Sequence, residues 1–127
     1  MSNRAVISTP DAPEAIGPYS QAIKVGGTVW LSGQIPLVPG SMELVSGDIK
    51  AQATQVFRNL AAIAEAAGGG LESAVKINIS LTDLADFAAV NEVMTSFFSE
   101  PYPARACVQV AALPKAVDIE VEAILAI

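Results

Sequence analysis

Few side chains in this 127-residue chain can do chemistry, because it holds no histidine and a single cysteine. That removes Ser-His and Cys-His dyads, imidazole acids and bases, histidine metal ligands and thiolate clusters together. Carboxylates, arginine, hydroxyls, one thiol, backbone amides and water remain. The best concentration of them lies in Pro103-Ala104-Arg105-Ala106-Cys107-Val108-Gln109-Val110 and, after Leu113-Pro114-Lys115-Ala116, in Val117-Asp118-Ile119-Glu120-Val121-Glu122. Both stretches alternate as strands. Arg105, Cys107 and Gln109 share one face of the first; Asp118, Glu120 and Glu122 share one face of the second. Read as one hairpin, the pair sets an arginine and two carboxylates side by side.

Each of these residues also has an ordinary reading. The Arg105 guanidinium is a planar fork of donors matched to a carboxylate, but a structural ion pair with Glu120 or Glu122 is the commoner use of such a residue. Glu120 can act as general acid or base, or orient a water, although a strand glutamate is usually a surface residue. Cys107 has no histidine to activate it, and strand cysteines are mostly packing or interface residues. Ser32 and Tyr19 can donate hydrogen bonds, and both stand near glycines that permit close backbone approach.

The elements that must position these groups can be followed along the chain. Residues 4 to 8 suit a short edge strand, and Thr9-Pro10-Asp11-Ala12-Pro13 breaks it. Ala22 to Val25 and Thr28 to Ser32 flank Gly26-Gly27 as a hairpin. Pro, Gly and Ser content marks a surface loop from Pro36 to Gly47. Ile49, Ala53, Val56, Leu60, Ile63 and Ala67 then recur by fours and threes, which is one helical stripe. Asp48 suits its N-terminal end, and Gly68-Gly69-Gly70 stops it rather than cradling a phosphate, since no Lys-Ser/Thr pair follows. Val75 to Leu81 alternates as a strand. A second helix is expected from about Asp83 to Ser99, with Leu84, Phe87, Val90, Met94 and Phe97 on its apolar stripe and Asp83 and Asp86 in its first turn.

This order describes one α+β domain spanning 1-127, with a single mixed sheet and two helices on one face. The other sheet face is left uncovered, and Arg105, Cys107, Gln109, Glu120 and Glu122 are expected on it. Its mixed character fits an oligomer interface with small polar pockets as well as it fits a solvated surface. At 52% hydrophobic content a core is easily filled, yet no apolar run is long enough to span a bilayer. Seven Lys and Arg against thirteen Asp and Glu give a net charge of −6, a poor match to nucleic acid. The N-terminus lacks a long apolar segment, so no leader is expected and the cytoplasm is the expected compartment.

Four motifs, in order along nearly the whole chain, together resemble the Rid family of reactive-intermediate deaminases, also called the YjgF type. They are Gly17-Pro18-Tyr19-Ser20-Gln21-Ala22, Ser32-Gly33-Gln34-Ile35-Pro36, Pro103-Ala104-Arg105-Ala106-Cys107-Val108, and Leu113-Pro114-Lys115 with Ile119-Glu120-Val121-Glu122-Ala123. Arg105 matches the marker of the deaminase-competent, RidA-like branch. The resemblance implies a chorismate-mutase-like fold assembled as a homotrimer, sheets facing inward, with sites in clefts between subunits. It implies hydrolysis of 2-imino acids, the enamine/imine products of pyridoxal-phosphate dehydratases, to 2-oxo acids and ammonia without metal or cofactor.

By the same resemblance Arg105 holds the substrate carboxylate and Glu120 orients water and moves protons, with Glu122 its structural neighbour. Tyr19, Ser32, Gly33, Asn91 and Cys107 line the substrate, and Cys107 is a wall rather than a nucleophile. Three other functions compete: a noncatalytic module binding 2-oxo acids or amino acids in the same cleft, a chaperone-like interaction role, and the ribonuclease activity attributed to some relatives. The net charge and the missing histidines weigh against the ribonuclease.

Overall fold

The computed structural model of the chain describes residues 3–127. Six strands and two principal helices follow in the order β1 (Arg4–Ile7), β2 (Ala22–Val25), β3 (Thr28–Gln34), α1 (Ile49–Ala66), β4 (Ala74–Leu81), α2 (Phe87–Phe97), β5 (Ala104–Gln109) and β6 (Ile119–Ala126). The strands form one mixed sheet in the order β1-β2-β3-β6-β4-β5. Only β4 and β5 run parallel, as the intervening α2 crossover allows.

Local chemistry accounts for most of the element ends. Val25 pairs with Thr28 across the two-residue Gly26-Gly27 turn, as a hairpin there requires. The Asp48 carboxylate accepts the Ala51 backbone N–H at 2.9 Å and caps α1. The expected long second helix is split. Asp83 caps a single 3₁₀ turn, Leu84–Asp86, and α2 proper begins at Phe87. Leu84 therefore stands 43% exposed instead of joining the apolar stripe.

The core lies between the sheet and the helices. Val56, Leu60 and Ile63 of α1 are fully buried against Val29, Ile77, Ile119, Val121 and Leu125, each of which alternates with a residue on the other sheet face. Phe57 packs its ring 5.6 Å from Phe97 and 5.7 Å from Phe98, joining α1 to the end of α2. Among the described residues no helix is long and apolar enough to cross a membrane.

The Arg105–Glu120 hairpin expected from the sequence does not form. β5 pairs with β4, and β4 in turn with β6, so β4 separates the two stretches. The faces differ as well. Laterally paired residues point to the same side of a sheet. Arg105, Cys107 and Gln109 pair with Ile77, Ile79 and Leu81, all buried beneath the helices. Glu120 and Glu122 pair with Ser80 and Asn78, which face the uncovered side. The uncovered face thus carries both glutamates with Ala104, Ala106 and Val108, while Arg105, Cys107 and Gln109 turn toward the helix layer. Alternation sorted the residues of β5 into two correct sets. It could not say which set met the helices, because β5 is an edge strand covered on the helix side by one face of α2.

Candidate active site

Arg105 lies where edge strand β5 meets α2. Its Nη1 donates to Asn91 Oδ1 at 2.5 Å and approaches the Met94 sulfur at 3.6 Å, and the guanidinium sits 4.9 Å from the centroid of the Phe87 ring. All three partners are neutral. No carboxylate among the described residues comes within ion-pair distance of Arg105, so the structural ion pair with Glu120 or Glu122 is not made within the chain. Phe87, Asn91 and Met94 follow the four-then-three spacing of one helix face. They hold the guanidinium at the rim of a groove of about 340 Å³ lined also by Thr95, Tyr102 and Pro103. A cation fixed by neutral groups keeps its charge for an anion from outside.

Glu120 lies in a different cavity, of about 560 Å³, together with Tyr19, Ser32, Gly33, Glu14, Lys115 and Glu122. A bulge shapes it. Leu31 pairs with Ala123 and Gln34 with Val121, so Ser32 and Gly33 together oppose the single residue Glu122. The bulge brings Gly33 onto the Glu120 side chain. A Cβ at position 33 would stand 2.9 Å from the Glu120 carboxyl carbon, so any larger residue there would displace the Glu120 side chain. Burial, and secondarily the Glu122 charge, push the Glu120 carboxyl above the usual glutamate range. Glu122 itself accepts from Asn78 Nδ2 at 3.2 Å.

Buried hydrogen bonds hold the wall of this cavity. Gln21, 3% exposed, accepts from the Thr9 N–H at 2.7 Å and donates Nε2 to the carbonyls of Thr9, Ala12 and Pro13 at 3.0, 3.3 and 2.8 Å. This pins the irregular segment that leads to Glu14, Ile16 and Tyr19. The Ser32 hydroxyl donates to the Ser20 carbonyl at 2.6 Å, tying the bulge to the same segment. Replacing Gln21 with leucine strands several buried backbone groups. It is expected to lower the unfolding free energy by about 2–4 kcal/mol, read as a fall in urea midpoint at unchanged slope.

The residues singled out from sequence therefore divide. Tyr19, Ser32, Gly33 and Glu120 meet in one cavity, and Asn91 and Arg105 in the other. Cys107 lines neither of these two. It is half-buried beside Arg105, packs against the core, and burial raises its thiol pKa more than the nearby guanidinium lowers it. That shift disfavours the thiolate a nucleophile needs. Phe87 and Met94 were legible only as core positions, although an asparagine between them on an apolar stripe was a usable signal. Glu14 carried no signal and Lys115 only its place in the Leu113-Pro114-Lys115 motif, since loops far apart in sequence bring them to the cavity.

The chain and its fold are similar to known proteins over nearly their whole length. The family model described as endoribonuclease L-PSP matches residues 9–127. A protein of Dermatophagoides farinae named 2-iminobutanoate/2-iminopropanoate deaminase is 49% identical over 127 residues, covering 100% of this chain and 99% of the relative. The crystal structure of RidA from a Psychrobacter species superposes with a TM-score of 0.94 at 60% identity, covering 97% of this chain and 99% of the other. E. coli TdcF with bound serine superposes with a TM-score of 0.91 at 45% identity, covering 97% and 98%.

Proposed function

Because the chain belongs to the Rid, or YjgF-type, family of reactive-intermediate deaminases, we propose that it hydrolyses 2-imino acids such as 2-iminobutanoate and 2-iminopropanoate to 2-oxo acids and ammonia. The observation that carries this reading is the Arg105 guanidinium, held by neutral partners and free of any carboxylate among the described residues. It suits a substrate carboxylate. A relative solved with bound serine, an amino acid of the same size class, supports a ligand of this kind.

Arg105 and Glu120 occupy opposite faces of one sheet, so no single chain brings both to one substrate. We infer that the protein works as a homotrimer with the uncovered sheet faces turned inward, the Arg105 groove of one subunit meeting the Glu120 cavity of the next. The apolar side chains of Val6, Trp30 and Val108 on that face, 67, 47 and 51% exposed, support such burial.

In the assembled site Arg105 binds the carboxylate and places the imine carbon against a water held by Glu120. Glu120 takes a proton as the water oxygen bonds to the carbon of the protonated imine, giving a carbinolamine. It passes that proton to nitrogen and then takes up the hydroxyl proton as the carbonyl forms, the C–N bond breaks and ammonia leaves. Tyr19, Ser32, the Gly33 backbone and Asn91 border the substrate. Imines hydrolyse slowly in water unaided, so a small site without metal or cofactor is sufficient. With a net charge of −6 the chain is poorly matched to RNA.

The test couples a threonine dehydratase to the purified protein and follows decay of the released imine. Acceleration at catalytic protein concentration supports the reading, and decay at the buffer rate ends it.

The raised pKa of Glu120 has a second consequence. Between the ordinary glutamate range and its raised value, the unfolded chain has lost this proton while the folded chain keeps it. Stability therefore falls as pH rises through that window. Glu120→Gln removes the titration. The variant is expected to be inactive yet to melt higher than wild type at pH 7, with the gap closing near pH 4, where both chains carry a neutral side chain. Calorimetry across that range reads the effect.

A further inference from the structure

Gln52 is a polar residue on the buried face of α1, 9% exposed among Ala53, Val56 and Phe57. Oε1 of its carboxamide accepts from the Asp118 backbone N–H at 3.3 Å, and Nε2 donates to Asp118 Oδ2 at 2.9 Å and to the Gly47 carbonyl at 3.4 Å. Asp118 stands immediately before β6, two residues from Glu120. Strand alternation groups it with Glu120 and Glu122, yet its carboxylate turns back to α1. Thr82, just past the end of β4, holds the same residue: its N–H donates to the Asp118 carbonyl at 3.2 Å and its hydroxyl to Oδ1 at 3.3 Å. The loop that arrives there is strained, because Lys115 and Ala116 both sit at a φ of 56°, where residues with a Cβ are uncommon. Pro114 and Lys115 of that loop line the Glu120 cavity. Such a path persists only where its surroundings hold it.

We propose that Gln52 and Asp118 are a positioning pair for Glu120, a clamp that fixes the entry to β6 so that the Glu120 side chain fills the space left open at Gly33. This rests on the deaminase reading and adds to it a residue of α1 that lines neither the Glu120 cavity nor the Arg105 groove. The clearance is small. The Glu120 carboxyl carbon and Cγ lie 2.9 and 3.1 Å from where a Cβ at position 33 would stand, and a misplacement of about 1 Å in a reacting group costs up to about a hundredfold in rate. Arg105 is held by β4 and α2, outside the clamp. The charged groups that share the cavity with Glu120 are Glu14 of the irregular N-terminal segment, Lys115 of the loop and Glu122 of β6. None of them is on α1. Loosening the clamp therefore acts on Glu120 by admitting water, which relaxes the burial that raises its pKa.

The experiment titrates the Glu120 carboxyl by carbon NMR, its resonance identified by its loss in Glu120→Gln, and measures kcat and KM in the coupled dehydratase assay. Gln52→Glu sets two carboxylates against each other where the amide donated, and Asp86, whose carboxyl already feels the Asp118 charge, adds to the repulsion. Gln52→Met removes the amide without adding charge. In both, the Glu120 pKa is expected to fall toward the ordinary glutamate range and kcat to drop about tenfold, with KM within about twofold because Arg105 is undisturbed. Adding Asp118→Asn to Gln52→Glu supplies a side-chain amide as donor to the new carboxylate. The double variant regains the clamp with its polarity reversed, and both readouts are expected to return close to wild type. Lower melting with the Glu120 titration and kcat of wild type in the single variants overturns the positioning role, as does a double variant no better than Gln52→Glu. Wild type that accelerates no imine ends the deaminase reading, and the NMR titration still decides the clamp.

Discussion

An Arg105→Ala variant is expected to lose about 10²–10⁴-fold in kcat/KM for imine hydrolysis, the loss of two charge-assisted hydrogen bonds of about 1.5–3 kcal/mol each to a carboxylate. Spontaneous hydrolysis sets the floor, so the assay reads the variant as buffer. The fold should survive. Arg105 is an exposed residue of an edge strand, and of its side-chain contacts with Phe87, Asn91 and Met94 only the last reaches the core. An unchanged circular dichroism spectrum and melting within a few degrees of wild type are therefore part of the expected result. Arg105→Lys keeps the charge but not the planar fork, and it should fall between the two. An Arg105→Ala variant that retains wild-type turnover would assign the carboxylate to another cation and dismantle the site.

Mixing two inactive variants is expected to restore activity. In Arg105→Ala the Glu120 cavity is intact, and in Glu120→Gln the Arg105 groove is intact. If each site draws one residue from each of two subunits, co-refolding the variants in equal amounts returns about one quarter of the wild-type activity, the chance that a site receives both intact halves. If one chain supplied both residues, the mixture would stay as inactive as its components. The prediction follows from the register alone. Arg105 pairs laterally with buried Ile77, whereas Glu120 pairs with Ser80 on the uncovered side. Sedimentation of the mixture checks that the subunits have exchanged, and a monomeric mass at micromolar concentration would remove the proposed site altogether.

Much of the local structure was legible before any coordinates. The α1 stripe is periodic enough that Ala53, Val56, Leu60 and Ile63 are all buried, and Asp48 caps as its side chain predicts. The same holds for the Gly26-Gly27 turn and the alternation of β4 and β6. Gln21 is the opposite case. It stood inside a recognisable motif, but its four partners lie eight to twelve residues upstream in an irregular segment, and no periodicity reports such a contact.

By itself the sequence determined the chemical inventory, the order of the elements and the two sets of residues on each strand. These are local properties: side-chain pKa, helix and strand period, cap and turn chemistry act over a few residues. Only the tertiary structure decided that β4 inserts between β5 and β6, that Arg105 turns to α2 and Glu120 away from it, and that each lines a separate cavity. Strand partnership is nonlocal. It is set by which apolar faces can be buried together, and the two stretches nearest in sequence lost that competition to β4, whose Ile77, Ile79 and Leu81 fill the space beneath the helices. The arginine and glutamate first read as neighbours thus stand on opposite faces of the sheet, with β4 between their strands.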